Sequence, residues 1–566
     1  MLIVSVFAGI TSCDDFLEPI DENRLGADFI NTDPASAEGL LLQGYSRLID
    51  QFSFSEAATD DAVNNQLTNG YKRMALGELN AQYNPASRWN NYESVLWVNK
   101  FLAVLDAGKI VWSKNDEINE MFYMRMRGEA LALRALHHFY VLQAHAGVST
   151  SGQLLGVPYI TEYIESDGNF NRPRLSFEAT VQAIMADFDA ALALLPTDYS
   201  ADQTGIDATY QNYDYDNYIV VNGPDYNLRI SGRIVKALKA RLALFAASPS
   251  FLNSQEYYSS AASFASEVLS TIGGVSGLPA NGIDYYKSYS QTNDDEMIWR
   301  GSAQSPSSSV ERDLFPPSLN GSGNINPTQN FVDAFPMASG YPATAANGYD
   351  AQNPYANRDP RLAEFVIYNG SSFGGKTINT GVGGAIDRVD SIAQFSTTTG
   401  YYLKKLLRPD VKINDNNTSN NQIHYDVYFR YTELFLIFAE AANEAGGPDQ
   451  AINGMTAREV IGAIRARAGL AQPDSYLASI TTKEAMRELI RNERRLELSF
   501  EGHRFWDLRR WGASLNETAK GSFFDGTDYL ELPAVESRNY QPFATYMPIP
   551  NAEVLKFSEL EQNNGW

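Results

Sequence analysis

Residues 129–147 read EALALRALHHFYVLQAHAG. Ala, Leu, Arg and Gln are strong helix formers, and the wider stretch from Glu117 to Ala146 contains no proline. It predicts one long helix. Working outward, residues 36–52 (SAEGLLLQGYSRLIDQF) and 90–106 each carry an apolar stripe at helical spacing. Residues 176–195 open on Ser176-Phe177-Glu178 and stop before Pro196, a capped start and a proline end. Residues 231–248 and 255–272 pair across Ser248-Pro249-Ser250, and 430–446 and 449–469 across Gly446-Gly447-Pro448. A last long helix is predicted over 483–500. Ala240, Ala243 and Ala246 are placed to face Ala261, Ala262 and Ala265, the small-residue texture of tetratricopeptide-like hairpins, without a regular 34-residue period.

The fold class is therefore mainly α: a tetratricopeptide-like helical-hairpin scaffold, about 36–272 and 426–566, in one domain over 36–566. Residues 273–425 differ, being rich in Gly, Asn, Ser, Pro and Tyr. They predict a large, irregular, loop-rich lobe held by the scaffold.

The chain has 566 residues, with 44% hydrophobic and 20% charged side chains, and a formal net charge of -24. That charge repels phosphate backbones and anionic lipid, which disfavours nucleic acid as a partner. The single cysteine, Cys13, forbids an intrachain disulfide. It follows the apolar run LIVSVFAG (Leu2–Gly9), which is too short to span a bilayer. Ile10-Thr11-Ser12-Cys13 resembles a bacterial lipobox, so residues 1–12 read as a lipoprotein signal peptide and 13–35 as a tether. Acylation of Cys13 would anchor the chain in a membrane.

Residues 491–511, RNERRLELSFEGHRFWDLRRW, resemble the C-terminal signature of the SusD/RagB family. Other blocks agree in order. They are residues 129–147 themselves, Asn357-Arg358-Asp359-Pro360-Arg361-Leu362, RYTELFLIFAEAAN at 430–443, Arg465-Ala466-Arg467-Ala468-Gly469, Tyr546-Met547-Pro548-Ile549-Pro550 and the closing Asn564-Gly565-Trp566. The resemblance implies a lipid-anchored, surface-facing outer-membrane protein that is not an enzyme. It also implies that the protein captures oligosaccharide or polysaccharide, in some members peptide, for a SusC-like TonB-dependent transporter.

Within the signature, Leu489, Leu496 and Phe500 fall on one helical face. Glu493 and Glu497 form a like-charge pair needing basic partners, which Arg491, Arg495, Arg504, Arg509 and Arg510 could supply. Such a network reads as a structural lock, with a partner interface at Arg504, Trp506 and Asp507 as the alternative. The five histidines show no metal-ligand spacing, and no nucleophile elbow or phosphate loop occurs. A glycoside hydrolase would need a pair of nearby carboxylates, and none is marked. Asp214-Tyr215-Asp216-Asn217 and Asn414-Asp415-Asn416-Asn417 could offer oxygens to a structural calcium ion, but they lack the twelve-residue loop pattern. No cofactor is expected.

Sugar rings stack their C–H faces on aromatic rings, and their hydroxyls take Asp, Asn and Arg. Two regions supply both. The first joins Asp61 and Asn64 to Arg73, Trp89, Asn90 and Tyr92; the second runs through Tyr286, Tyr289 and Trp299. For Trp89, Tyr92 and Trp299, packing in the core is the competing reading.

Overall fold

The computed structural model describes residues 29, 31–49, 51–287, 295–416 and 418–566. Ten helices frame the molecule: α1 (Pro34–Leu42), α2 (Asn91–Asp106), α3 (Asp116–His145), α4 (Phe177–Leu192), α5 (Gly232–Ala247), α6 (Gln255–Ser270), α7 (Tyr431–Gly446), α8 (Ala457–Arg467), α9 (Lys483–Glu497) and α10 (Arg504–Trp511). Their starts are chemically marked. The side chains of Asp33, Asn115, Ser176 and Thr482 each accept a backbone N–H in the first turn of α1, α3, α4 and α9. α1 begins at Pro34, inside the stretch expected as tether. The expected helix over 449–469 begins only at Ala457, after a turn through Gly454 (φ 81°), where a Thr456–Glu459 capping box starts it.

The helices pack on one another largely in chain order: α2 on α3, α3 on α4, α5 on α6, then α6 on α7 and α7 on α8 and α9. Ala240, Ala243, Ala246, Ala261, Ala262 and Ala265 are all fully buried, so α5 and α6 approach closely. From Arg125 onward nearly every residue of α3 is buried, as expected of the helix at the centre of the scaffold. Its buried histidines are bonded. His137 contacts Asn91 and the Gly44 carbonyl, and His138 accepts the Ile160 N–H at 3.0 Å.

The region 273–425 carries a second core, whose largest members include Phe331, Phe335, Phe365, Tyr401 and Tyr402. Phe54, Ala57 and Ala62 from the N-terminal part and Leu496 and Phe500 from the signature join this core. Short antiparallel pairs tie the regions together. β1 (Ala62–Asn64) pairs with β3 (Ile325–Pro327), and β2 (Met297–Arg300) with β4 (Val427–Arg430).

The join is also ionic. Arg361 is fully buried and donates to Asp359, Glu493 and Glu497 at 2.6–2.9 Å. Arg465 takes the other Glu493 oxygen at 2.7 Å, and Arg467 the other Glu497 oxygen at 2.8 Å. The partners of the glutamate pair thus come from two distant segments, not from the signature's own arginines as expected. Those arginines look elsewhere: Arg495 and Arg504 to Asp60 and Asp61, and Arg494 and Arg510 to Asp507.

The C-terminal segment closes over the end of α3. Asn563 donates to the carbonyls of His145 (2.9 Å) and Met547 (2.6 Å), while His145 Nδ1 meets the Pro548 carbonyl at 2.8 Å. Arg174 bridges His145 and Asn563. No helix among the described residues is long and apolar enough to cross a membrane.

Candidate functional site

Because Asn64 stands opposite Ile325 in the β1–β3 pair, and Asn65 donates to the Asn324 carbonyl at 3.0 Å, two distant segments form one edge. That edge is the wall of an open cleft of about 510 Å³, within the range of small-molecule sites. Phe52 and Phe54 line it, their centroids 6.2 Å apart in an edge-to-face pair. Phe54 holds a left-handed backbone (φ 48°) as it enters the turn Ser55–Ala58. The short helix Ser309–Leu314 brings Ser309, Val310, Asp313 and Leu314 to the opposite side.

The polar lining is pre-set. Asn64 Oδ1 accepts the Gln66 N–H at 2.8 Å, Asn69 Oδ1 accepts the Lys72 N–H at 3.0 Å, and Asn324 Oδ1 accepts from Gln66 Nε2 at 3.0 Å. Asp426 accepts from the Gln51 N–H (3.1 Å) and from Gln304 Nε2 (3.2 Å). Partial burial pushes the Asp313 carboxyl above its ordinary range. The cleft therefore combines two rings, several amides and hydroxyls and two carboxylates, with no lysine or arginine in its lining. Amides offer both donors and acceptors, and carboxylates offer acceptors, the set that neutral hydroxyl-bearing ligands need.

The SusD family model matches residues 284–566, half of the chain, and a second model, described as starch-binding and associating with the outer membrane, matches residues 10–209. The chain belongs to the SusD family. A SusD-like protein of Formosa agariphila is 29% identical over 182 residues, which is 32% of this chain and 31% of that relative, so the match spans about a third of its length. A SusD-like protein of Bacteroides fragilis has the same fold, with a TM-score of 0.74 at 23% identity over 97% of this chain and 100% of that one. A second structure from that organism, described as a SusD-like carbohydrate-binding protein, gives 0.70 at 20% identity over 94% and 99%.

For this SusD family member, the residues expected at the site are dispersed. Asn64 lines the cleft. Asp61 is 1% exposed and accepts from Arg495, so its carboxylate is already engaged; burial, with Asp60 beside it, pushes it up. Arg73 donates to Glu78 at 2.9 Å and lies over Tyr83. Trp89 and Tyr92 pack edge-to-face on each other and against His145 and His138, and the Tyr92 hydroxyl donates to the Pro158 carbonyl at 2.7 Å. Asn90 is exposed just before α2. Trp299 is 2% exposed and donates from its indole to the Leu228 carbonyl, so the packing reading holds for it. Tyr286 packs edge-on against Tyr285, with burial raising its hydroxyl. Tyr289, Cys13 and the signal peptide 1–12 lie outside the described residues.

Sequence reasoning missed Phe52, Phe54, Gln304, Asp313, Asn324 and Asp426. The alternation Phe52-Ser53-Phe54, a few residues before Asp60, was the one local signal available. Among the described residues no group of three His, Cys, Asp or Glu is placed to hold a metal ion. Asp214, weighed as a calcium ligand, caps a helix by accepting the Asn217 N–H.

Proposed function

We propose that this protein is a non-catalytic, surface-exposed lipoprotein. It captures neutral oligosaccharide or polysaccharide in the Phe52–Asn324 cleft and passes it to a SusC-like TonB-dependent outer-membrane transporter. The observation that carries the reading is the cleft's lining of paired rings, amides and carboxylates without a basic side chain. Membership of a family with a starch-binding, outer-membrane-associating model supports the ligand class and the location, as does the likeness to a carbohydrate-binding relative. Sugar faces stack on the part-exposed Phe52 ring, which the buried Phe54 supports edge-on, and hydroxyls bond the amides. Asp313 and Asp426 disfavour uronate-rich or sulfated glycans by like-charge repulsion. Acylation at Cys13 supplies the anchor.

Titration calorimetry against neutral glucans, acidic polysaccharides and oligopeptides tests this. Neutral glycan should bind, and a Phe52→Ala/Asn324→Ala double variant should bind at least about tenfold more weakly, about 1.4 kcal/mol. Tight binding of peptides with none of glycans would replace the reading by peptide capture. Release of reducing ends from a bound glycan would make the protein a hydrolase. For the anchor, Cys13→Ser should move the protein from the membrane fraction to the soluble one.

A further inference from the structure

A second cavity, separated from the cleft by Gln51 and Val427, is bounded by α3, α5, the β4 strand and the signature, with Phe139, Tyr140, Arg241, Tyr428 and Trp506 among its walls. Its volume of about 90 Å³ holds several waters but no sugar chain. Four of its guanidiniums are matched to carboxylates: Arg241 to Glu433, Arg430 to Glu296 and Glu501, Arg494 to Asp507 and Arg510 to Glu440.

Arg88 is different. Its hydrogen bond goes to the neutral Gln143 side chain, and its guanidinium lies 4.1 Å from the Trp506 ring centre and 5.3 Å from that of Tyr140. Among the described residues it has no carboxylate partner. Arg509, on the same Trp506 ring at 5.2 Å, also lacks one and donates to the carbonyls of Thr545, Gln143 and Ala144. Burial and the like charge of Arg241 lower Arg88 to about 10, and burial and Arg88 lower Arg509 to about 9. The nearby His503 does not offset or add to this charge, because burial holds it neutral down to about 4.

The indole N–H of Trp506 is a second unspent donor. Those of Trp299, Trp511 and Trp566 each bond an oxygen, whereas Trp506 has no hydrogen-bond partner among the described residues. A part-buried guanidinium that faces a small cavity without a carboxylate partner keeps its charge uncompensated there, and the cavity waters do not neutralise it. We propose that this cavity is a binding site for a small anion, of halide to acetate size, held by Arg88 and the Trp506 N–H. The anion completes the charge balance between the scaffold and the signature.

Crystals of the whole chain soaked in sodium bromide test it directly. An anomalous peak in this cavity, in contact with Arg88 and Trp506, is the expected result; bromide only elsewhere, or none, overturns the proposal. In solution, replacing sodium gluconate by sodium chloride at equal ionic strength should raise the wild-type melting temperature by about 1–2 °C. The rise should vanish in Arg88→Met and shrink in Trp506→Phe. A rise retained in Arg88→Met overturns the proposal as well. If Arg88→Met does not fold, the bromide soak of the wild-type crystals decides alone.

Discussion

At the scale of single residues, the chemistry is concentrated in buried arginines. Arg361 holds Asp359, Glu493 and Glu497 together with no exposure to solvent. Removing it leaves three carboxylates short of a cation in a dry site, the situation in which an ion pair matters most. Arg361→Met should cost about 3–5 kcal/mol in chemical denaturation. Arg361→Lys should recover little, since an ammonium lacks the planar fork that reaches all three partners. A loss below that of an exposed pair would show that Arg465 and Arg467 suffice. That Glu493 and Glu497 needed cations was legible from their spacing on one helix. Which cations was not, because Arg361 and Arg465 reach them through folding of distant segments. The dispersal of the expected site residues has a related cause. Trp89 and Trp299 have the composition of a sugar platform, but an aromatic residue's exposure depends on what packs over it, here His145 and Tyr92 on one and Tyr428 on the other.

Among the elements, helices were readable and strand pairs were not. A helix declares itself through its own periodicity, caps and stops, as α3, α4 and the α5–α6 hairpin did. β1 and β3 have three residues each and owe their existence to one another across the chain, so neither leaves a local pattern. The cleft is built on that pair and shared its invisibility. One helix end illustrates how tightly the scaffold is set. The predicted helix over 36–52 gives way after Leu42 to a tight turn, Gln43–Tyr45, where Gly44 lies against α2 and α3. A Cβ at Gly44 would sit 2.9 Å from both Leu133 Cδ1 and Val98 Cγ2. Gly44→Ala should therefore destabilise by about 1–3 kcal/mol through overpacking, measured as a lower denaturation midpoint. An unchanged midpoint would mean that α1 can slide outward.

Over the whole molecule, four histidines respond to acid in the same direction. Burial holds His137 and His503 to about 4 and His138 and His145 to about 3. An unfolded histidine takes its proton near 6.5, so between pH 6.5 and about 4 the unfolded chain binds more protons than the folded one. The histidine part of the stability is complete above pH 6.5 and declines as the pH falls through that window, by up to about 1.4 kcal/mol per pH unit for each ring. Glu56, pushed up to about 7 by burial, opposes this as one group against four between pH 7 and 4.5. Glu501 and Asp507, held to about 2 against burial by Arg430 and Arg494, extend the decline below pH 4. Melting temperatures recorded from pH 8 to pH 4 should be level at first and then fall steadily. A level profile down to pH 5 would contradict the burial of these rings.

The clasp at the end of α3 has a consequence in time. The His145 carbonyl takes Arg174 from nearby and Asn563 from far along the chain, and its ring takes the Pro548 carbonyl. A chain still being made can coil α3 and fold the α5 and α6 hairpin from neighbouring residues, since those contacts are close in sequence. The cap on the end of α3 is added only after Pro548 and Asn563, 403 and 418 positions further on, have been made. While the chain grows, this end of the scaffold stays unstitched, and the residue that closes it is remote in sequence from the helix it closes.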